Sequence, residues 1–170
     1  IFYGKTDTLS GKAAPGGEKG RYETRAGRLL LCHALKEVYG LSLPKGEEGL
    51  AQMERMLSKG KNGKPYLHGY PEIHFNISHS GDYAVCAVSK QPVGIDIERI
   101  GAYQPNVARR VCSDAEQKLL EQCEDPARLF YRLWTLKESY VKLTGTGISV
   151  PLSQITFSFL ADGRVESNQN

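Results

Sequence analysis

The stretch between Asp125 and Gly145 most constrains what this chain can fold into. Asp125 followed by Pro126 is typical of a helix N-terminus and Gly145 of a helix end, which predicts a helix over residues 126–144. Two rows of residues run along it at helical spacing: Leu129, Leu133, Leu136, Tyr140 and Leu143 in one, and Phe130, Trp134, Glu138 and Val141 in the other. A helix that is apolar on two sides is covered on both, so the rest of the chain must supply a core around it.

Glu138 is the charged member of the second row. A carboxylate on a buried helix face needs a cationic partner or a metal ion, because burying an unpaired charge is costly. A buried ion pair with one of the nearby lysines and a metal site explain Glu138 equally well.

A second acidic feature lies in residues 92–98, where apolar and polar residues alternate. The alternation predicts a strand with Val93, Ile95 and Ile97 facing a core. Asp96 and Glu98 would then share the other face, about 6.6 Å apart along the strand, and Gly94 beside them leaves room for a close approach. Such a pair alone is more often a solvated strand face, but with Glu138 it would form a magnesium site, because Mg²⁺ takes a few carboxylates and completes its shell with water and phosphate.

Basic and hydroxyl-bearing residues supply groups that bind anions. Residues 59–65 form a glycine-rich segment with three lysines, and residues 74–82 are predicted as a strand turning into a loop that presents Ser78, His79 and Ser80. Lys142 lies one turn beyond Glu138 on the same helix face. Taken singly, a lysine-glycine loop is usually a solvated turn and His79 a hydrogen-bonding loop residue. Together these groups would hold a multiply charged anion such as a diphosphate.

Two paired motifs resemble a known family. Val93-Gly-Ile-Asp-Ile-Glu98, followed by Phe130-Tyr-Arg-Leu-Trp-Thr-Leu-Lys-Glu-Ser-Tyr-Val-Lys142, resembles the double signature of the 4'-phosphopantetheinyl transferases. Gly63-Lys-Pro65 and Phe75-Asn-Ile-Ser-His-Ser80 are similar to further motifs of the branch that activates surfactin-type peptide synthetases. The resemblance implies transfer of phosphopantetheine from coenzyme A to a serine of an acyl or peptidyl carrier protein, with release of 3',5'-ADP. The alternative is a non-catalytic module of the same fold that binds coenzyme A or a related nucleotide.

The same resemblance assigns roles to individual positions. It implies that Asp96, Glu98 and Glu138 hold Mg²⁺, with Mn²⁺ as the alternative ion, against the coenzyme A diphosphate. Glu138, Asp96 and Lys142 form the implied catalytic group, with Glu138 as the base that accepts the serine proton directly or through a water on the metal. Coenzyme A itself is assigned to five positions: Arg28, Lys64, Ser78, His79 and Lys142. Lys137 belongs to the motif without a defined role.

The order of predicted elements indicates an α+β fold. Helices are predicted at residues 24–39, 47–57, 114–122 and 126–144, and largely antiparallel strands at 73–78, 83–89, 92–98 and 154–160. Ser113 and Glu116 form a capping box at the third helix. The resemblance adds two similar small lobes related by a pseudo-twofold axis, each with a mostly antiparallel sheet packed on a long helix and with coenzyme A between them.

The predicted division has three parts. Residues 1–20, rich in glycine and lysine over most of their length, are expected to be a flexible lead-in. Residues 21–91 are the N-terminal lobe, and residues 92–170 are the C-terminal lobe with the metal-binding motifs. The chain has no initiator methionine, and proteins of the resembled branch commonly continue past the strand near Phe157.

Composition limits the partners. The 170 residues carry a formal net charge of +3, which favours acidic partners such as carrier proteins. The sequence lacks the stripe of basic and aromatic residues that is typical of a nucleic-acid-binding protein. No apolar run is long enough for a membrane span and no signal peptide is recognisable, so we expect a soluble cytoplasmic enzyme. We also expect a monomer, because two lobes in one chain would supply the cleft.

Overall fold

A computed structural model describes residues 1–10, 19–60 and 62–169. Residues 11–18 of the predicted flexible lead-in and Lys61 of the predicted lysine-rich loop lie outside these ranges. The first half contains β1 (Phe2–Lys5), α1 (Thr6–Ser10), α2 (Lys19–Tyr39), α3 (Gly46–Met56), β2 (Leu57–Lys59), β3 (Pro65–Leu67), β4 (His74–Ser80) and β5 (Tyr83–Ser89). The second half contains α4 (Pro105–Val111), α5 (Asp114–Gln122), α6 (Pro126–Thr144), two short 3₁₀ turns (Gly147–Ser149 and Leu152–Gln154), β6 (Phe157–Phe159) and β7 (Val165–Ser167).

All strand pairings in the described ranges are antiparallel. A three-stranded sheet has the order β1-β5-β4, while β2 with β3 and β6 with β7 form two-stranded hairpins. Helices and antiparallel sheets thus occur together, which confirms the α+β prediction. The pseudo-twofold relation between the halves stays a prediction, as does the division at residue 91. Within the described part of the chain, no helix is long and apolar enough to cross a membrane.

The first core lies between α2 and the three-stranded sheet. Leu30, Leu31 and Leu35 of α2 are buried against Phe75 of β4 and Cys86 of β5. Because a helix and a sheet each have one apolar side, packing the two together removes both from water. One side of β4, the strand that carries candidate site residues, is therefore packed against α2.

The second core surrounds α6, whose predicted bounds are confirmed. The Asp125 side chain caps it by accepting from Arg128 N, and Gly145 ends it in the left-handed conformation with φ 66°. Its buried apolar residues are Phe130, Leu133 and Val141. They belong to one core with residues of α4, α5 and the chain around β6, namely Ala108, Val111, Leu120, Ile155 and Phe157. The helix is thus covered on more than one side, as its sequence indicates.

Two stretches differ from the sequence predictions. Residues 92–98 form no strand, and residues 93–97 are all partly buried instead of alternating, so that prediction is wrong. The physical reason is that the segment lies between two elements. Side chains of β4 hydrogen-bond to it on one side, and the α6 backbone touches it at Gly94 on the other, so no backbone ladder forms. At the chain start, Phe2–Lys5 pairs with β5, and the Phe2 ring packs edge-on against His33 at 5.4 Å between ring centroids. These first residues are therefore anchored to the sheet rather than belonging to a flexible segment.

A buried ion pair ties α6 to its surroundings. The side chains of Lys137 and Glu116 are both fully buried, with Lys137 Nζ 2.6 Å from Glu116 Oε2. Lys137 also donates to the carbonyls of Leu152 and Ile155, and Glu116 Oε1 accepts from Phe157 N at 2.9 Å. Glu116 also completes the predicted capping box with Ser113, which is confirmed. One ion pair thus connects α5, α6 and the chain leading into β6.

Lys137→Ala should lower the free energy of unfolding by about 3–5 kcal/mol, because it leaves the Glu116 carboxylate buried without its cation. Chemical denaturation measures the change. The matched control is Lys118→Ala on the exposed side of α5, for which a change within about 0.5 kcal/mol is expected. A loss for Lys137→Ala as small as that of the control would contradict the structural role of the pair.

Candidate functional site

The site begins where residues 92–98 cross α6. A Cβ atom built on Gly94 would lie 2.0 Å from the Ser139 carbonyl oxygen and 2.5 Å from the Leu143 backbone nitrogen. Only glycine allows this approach, because no Cβ fits between the two backbones. The sequence predicted that Gly94 leaves room for a close approach, and the structure identifies the approaching group as the α6 backbone.

Lys64 braces the same crossing from the β2–β3 hairpin. Its ammonium donates to the carbonyl oxygen of Val93 at 3.2 Å and to that of Leu143 at 2.8 Å. Burial lowers the pKa of Lys64. An ammonium has three N–H donors, so one remains for a further acceptor.

Asp96 lies at the centre of the polar contacts. Its Oδ1 accepts from Ser78 Oγ at 2.7 Å and from Lys142 Nζ at 2.5 Å, and Lys142 Nζ also reaches Ser78 Oγ at 2.9 Å. The Asp96 side chain is only 4% exposed. Its second oxygen, Oδ2, is buried without a hydrogen-bond partner. A buried carboxylate oxygen without a donor is costly, and a bound cation would relieve that cost.

The other two acids border the same cavity. Glu98 is exposed, and its Oε2 accepts from Ser80 Oγ at 2.8 Å. Glu138 is partly buried, and burial and then the charge of Asp96 raise its pKa, with Lys142 opposing and Glu98 adding to the rise. The two acids of the loop, Asp96 and Glu98, thus act electrostatically on Glu138 of the helix.

These residues fit part of a magnesium shell. In the described ranges, no three His, Cys, Asp or Glu side chains are arranged as a complete metal site, and the Lys142 ammonium lies against Asp96. Mg²⁺ does not need a complete protein cage, because it commonly keeps one or two carboxylates and completes its shell with water and substrate phosphates. The free Asp96 Oδ2 and the neighbouring Glu138 are suited to that arrangement.

Two cavities meet at these groups. The smaller, about 280 Å³, is lined by Ile77, Ser78, His79, Asp96, Glu98, Trp134, Glu138 and Lys142. The larger, about 550 Å³, shares Ile77, Glu138 and Lys142 and extends past Lys64 and Arg110. Its volume is within the usual range for ligand sites, about 300–1,000 Å³. Glu138 and Lys142 therefore stand between a polar cavity and a cleft large enough for a nucleotide-sized molecule.

Arg28 is the one predicted site residue that lines neither cavity. It pairs with Glu54 and lines a separate pocket between α2 and α3. His79 lines the smaller cavity, where its Nδ1 lies 3.4 Å from Glu23 Oε2. The predicted roles of all these residues in binding a cofactor or metal stay predictions.

Sequence reasoning missed part of the site in residues 74–82. It predicted a strand at 73–78 that turns into a loop presenting Ser78, His79 and Ser80, whereas β4 continues to Ser80; the strand is confirmed, and the loop at His79 and Ser80 is wrong. Within a strand, Asn76, Ser78 and Ser80 share one face. Ser80 was named only as an anion-binding hydroxyl and not as a neighbour of the acids, and Asn76 was not considered as a site residue. Their alternation was the available signal. Arg110, at the rim of the larger cleft, carried no motif.

Comparisons with known proteins agree on one family. The family model of the 4'-phosphopantetheinyl transferase superfamily matches residues 92–170. The chain is 41% identical over 144 residues to the 4'-phosphopantetheinyl transferase psf-1 of Bacillus pumilus, covering 83% of this chain and 58% of that protein. A 4'-phosphopantetheinyl transferase of Bacillus subtilis is 38% identical over 147 residues, covering 85% and 61%. The human L-aminoadipate-semialdehyde dehydrogenase-phosphopantetheinyl transferase is 34% identical over 117 residues, covering 59% and 38%. The chain thus spans 58% and 61% of the lengths of the two bacterial relatives.

Gly94→Ala should destabilise the fold by about 2–3 kcal/mol, because the new methyl group meets backbone atoms that cannot rotate away. Urea unfolding measures the loss. Gly20→Ala is the matched control, since a Cβ there meets nothing within 4 Å and alanine favours a helix over glycine by up to about 1 kcal/mol. Equal stability of Gly94→Ala and the wild type would contradict the close crossing.

Proposed function

Because this chain belongs to the 4'-phosphopantetheinyl transferase superfamily, we propose that it transfers 4'-phosphopantetheine from coenzyme A to a serine of an acyl or peptidyl carrier protein. The surfactin-activating branch named from the motifs is the one that the Bacillus relatives support. The reaction releases 3',5'-ADP. We propose acidic carriers as partners, which the net charge of +3 favours. We also propose a monomeric state and a cytoplasmic location.

One observation carries the proposal. Asp96, Glu98, Glu138 and Lys142 line a single polar cavity that opens beside a cleft of about 550 Å³. Carboxylates next to a lysine at the border of a nucleotide-sized cleft suit a metal and a diphosphate, whose charges are opposite and must be balanced together. A structural ion pair alone would need neither Glu98 nor the unpartnered Asp96 oxygen.

We propose that Asp96, Glu98 and Glu138 hold Mg²⁺, with Mn²⁺ as the alternative ion. When bound, a divalent cation neutralises charge on the phosphorus undergoing substitution and on the departing phosphate. Lys142 lies 2.5 Å from Asp96, so its ammonium is available to move onto a phosphate oxygen once a cation takes its place at the carboxylate. In this proposal Lys142 stabilises the leaving group.

The chain itself supplies no nucleophile in this reaction. The carrier serine oxygen forms a bond to the β-phosphorus of coenzyme A, and the bond from that phosphorus to the 3',5'-ADP oxygen breaks. The serine proton goes to the Glu138 carboxylate, directly or through a water molecule. Glu138 suits this role by its position, because it lines both the polar cavity of the acids and the larger cleft.

We place the nucleotide part of coenzyme A in the larger cleft. Lys64 with its remaining N–H donor and Lys142 line it, and Ser78 and His79 line the adjoining cavity. Arg28 would contact the nucleotide only if its partner Glu54 released it, because their ion pair occupies a separate pocket.

Intact-mass analysis of an apo carrier protein incubated with this chain, coenzyme A and Mg²⁺ should show the gain of one phosphopantetheine. Controls with EDTA and with Asp96→Ala should both abolish the gain, since EDTA removes the metal ion and the substitution removes one of its proposed ligands. A mass gain that persists in EDTA would overturn the metal's role. No gain on several carriers, with coenzyme A still bound, would instead favour the non-catalytic binding module.

The acids should matter more than the lysine in the cleft. Glu138→Gln should lower the transfer rate by about 10²–10⁴-fold, the usual effect of removing a general base, and Asp96→Ala by at least as much. Lys64→Ala should lose less, because it removes one brace of the crossing and a proposed substrate contact but none of the groups at the reacting centre. Initial transfer rates at saturating coenzyme A measure the order, and a Lys64→Ala enzyme slower than Asp96→Ala would contradict it.

A further inference from the structure

Three polar side chains at alternate positions of β4 meet the segment that carries Asp96 and Glu98. Asn76, Ser78 and Ser80 lie on one face of the strand, because side chains two residues apart point the same way. We call these three residues the β4 polar row. Asn76 and Ser78 are each 6% exposed, and buried polar groups of this kind are expected to be hydrogen-bonded.

The β4 polar row contacts the segment in sequence order. Asn76 Oδ1 accepts from Ile95 N at 2.9 Å, and Ser78 Oγ donates to Asp96 Oδ1 at 2.7 Å. Ser80 Oγ donates to Glu98 Oε2 at 2.8 Å and accepts from Arg99 N at 3.0 Å. Side chains therefore replace the backbone ladder that a strand at residues 92–98 would have made.

Two of these contacts fix the backbone just outside the acids. Asn76 holds the amide of Ile95, directly before Asp96, and Ser80 holds the amide of Arg99, directly after Glu98. A shift of the segment by one residue would break both contacts and turn the acids away, because neighbouring side chains in a stretched chain point in opposite directions. Asp96 and Glu98, the two loop acids proposed to hold the metal, lie between these two contacts.

We propose that the β4 polar row consists of positioning residues that set the register of residues 95–99, so that Asp96 and Glu98 reach the cavity of Glu138. The inference rests on the proposed function, since the register matters only if the acids act together. Ser80 is the most informative member. Its single hydroxyl orients Glu98 by donating to it and fixes the backbone by accepting from Arg99, which uses both capacities of the group.

Mn²⁺ titration provides a readout that does not depend on transfer. Trp134 is the only tryptophan in the sequence and lines the same cavity as Glu98 and Glu138, so paramagnetic quenching of its emission reports Mn²⁺ at this place. Ser80→Ala should weaken Mn²⁺ binding by about 10-fold, a typical loss when a group orienting a metal ligand is removed. Ser80→Thr keeps the hydroxyl and should restore most of the affinity. Ser158→Ala, on an exposed position of β6, should bind as the wild type does.

Amide hydrogen exchange at Arg99, followed by NMR in the metal-free protein, tests the register itself. Ser80→Ala should speed exchange of this amide by about 10-fold, because it loses its acceptor and opens more often. Ser80→Thr and Ser158→Ala should leave it slow.

The outcomes separate the inference from the proposed function. Saturable quenching in the wild type with unchanged affinity in Ser80→Ala overturns the positioning role, as does unchanged exchange at Arg99. Equal losses in Ser80→Ala and Ser80→Thr would also overturn it, because the hydroxyl would then be irrelevant. Fast Arg99 exchange in Ser80→Ala, without saturable Mn²⁺ quenching in the wild type, would overturn the proposed metal site while supporting the register.

Discussion

Two backbones meet at Gly94 with no space for a side chain between them, and the candidate site depends on that contact. The loop that carries Asp96 and Glu98 lies directly on α6, which carries Glu138 and Lys142. Acids and a lysine that are distant in sequence are thereby collected at one cavity. A bulkier residue at position 94 would move the loop and the helix apart, and with them the two sources of charged groups.

Packing on each side of the crossing fixes the orientation of the charged groups at the cavity. On the helix side, the fully buried pair of Lys137 and Glu116 fixes the rotation of α6, so that the neighbouring Glu138 points to the cavity. On the sheet side, β4 is backed by the first core and presents its polar residues to the loop. A buried ion pair usually adds little net stability relative to apolar residues of the same size. The pair of Lys137 and Glu116 therefore matters chiefly because it orients α6.

The sequence predicted correctly the features that depend on residues close together in the chain, such as helix ends. It did not predict the contacts between residues far apart in the chain. The bounds of α6 follow from Asp125 and Gly145, whose effects act within one helical turn, and they were predicted correctly. The alternation in residues 92–98 is the same for a strand and for a segment held by side chains, so it could not distinguish them. The role of Lys137 was equally hidden, because its partners, Glu116 and two carbonyls near Leu152, lie far along the chain.

The most direct test of the central claim is a double-mutant cycle on the transfer rate, using Asp96→Asn, Glu138→Gln and the double variant. If the loop acid and the helix acid serve one metal ion, the first substitution already destroys the shared site. The double variant should then be hardly slower than the slower single variant, because groups that act as a unit are strongly non-additive. Multiplication of the two single effects in the double variant would mean that the acids act independently, and would contradict a shared site.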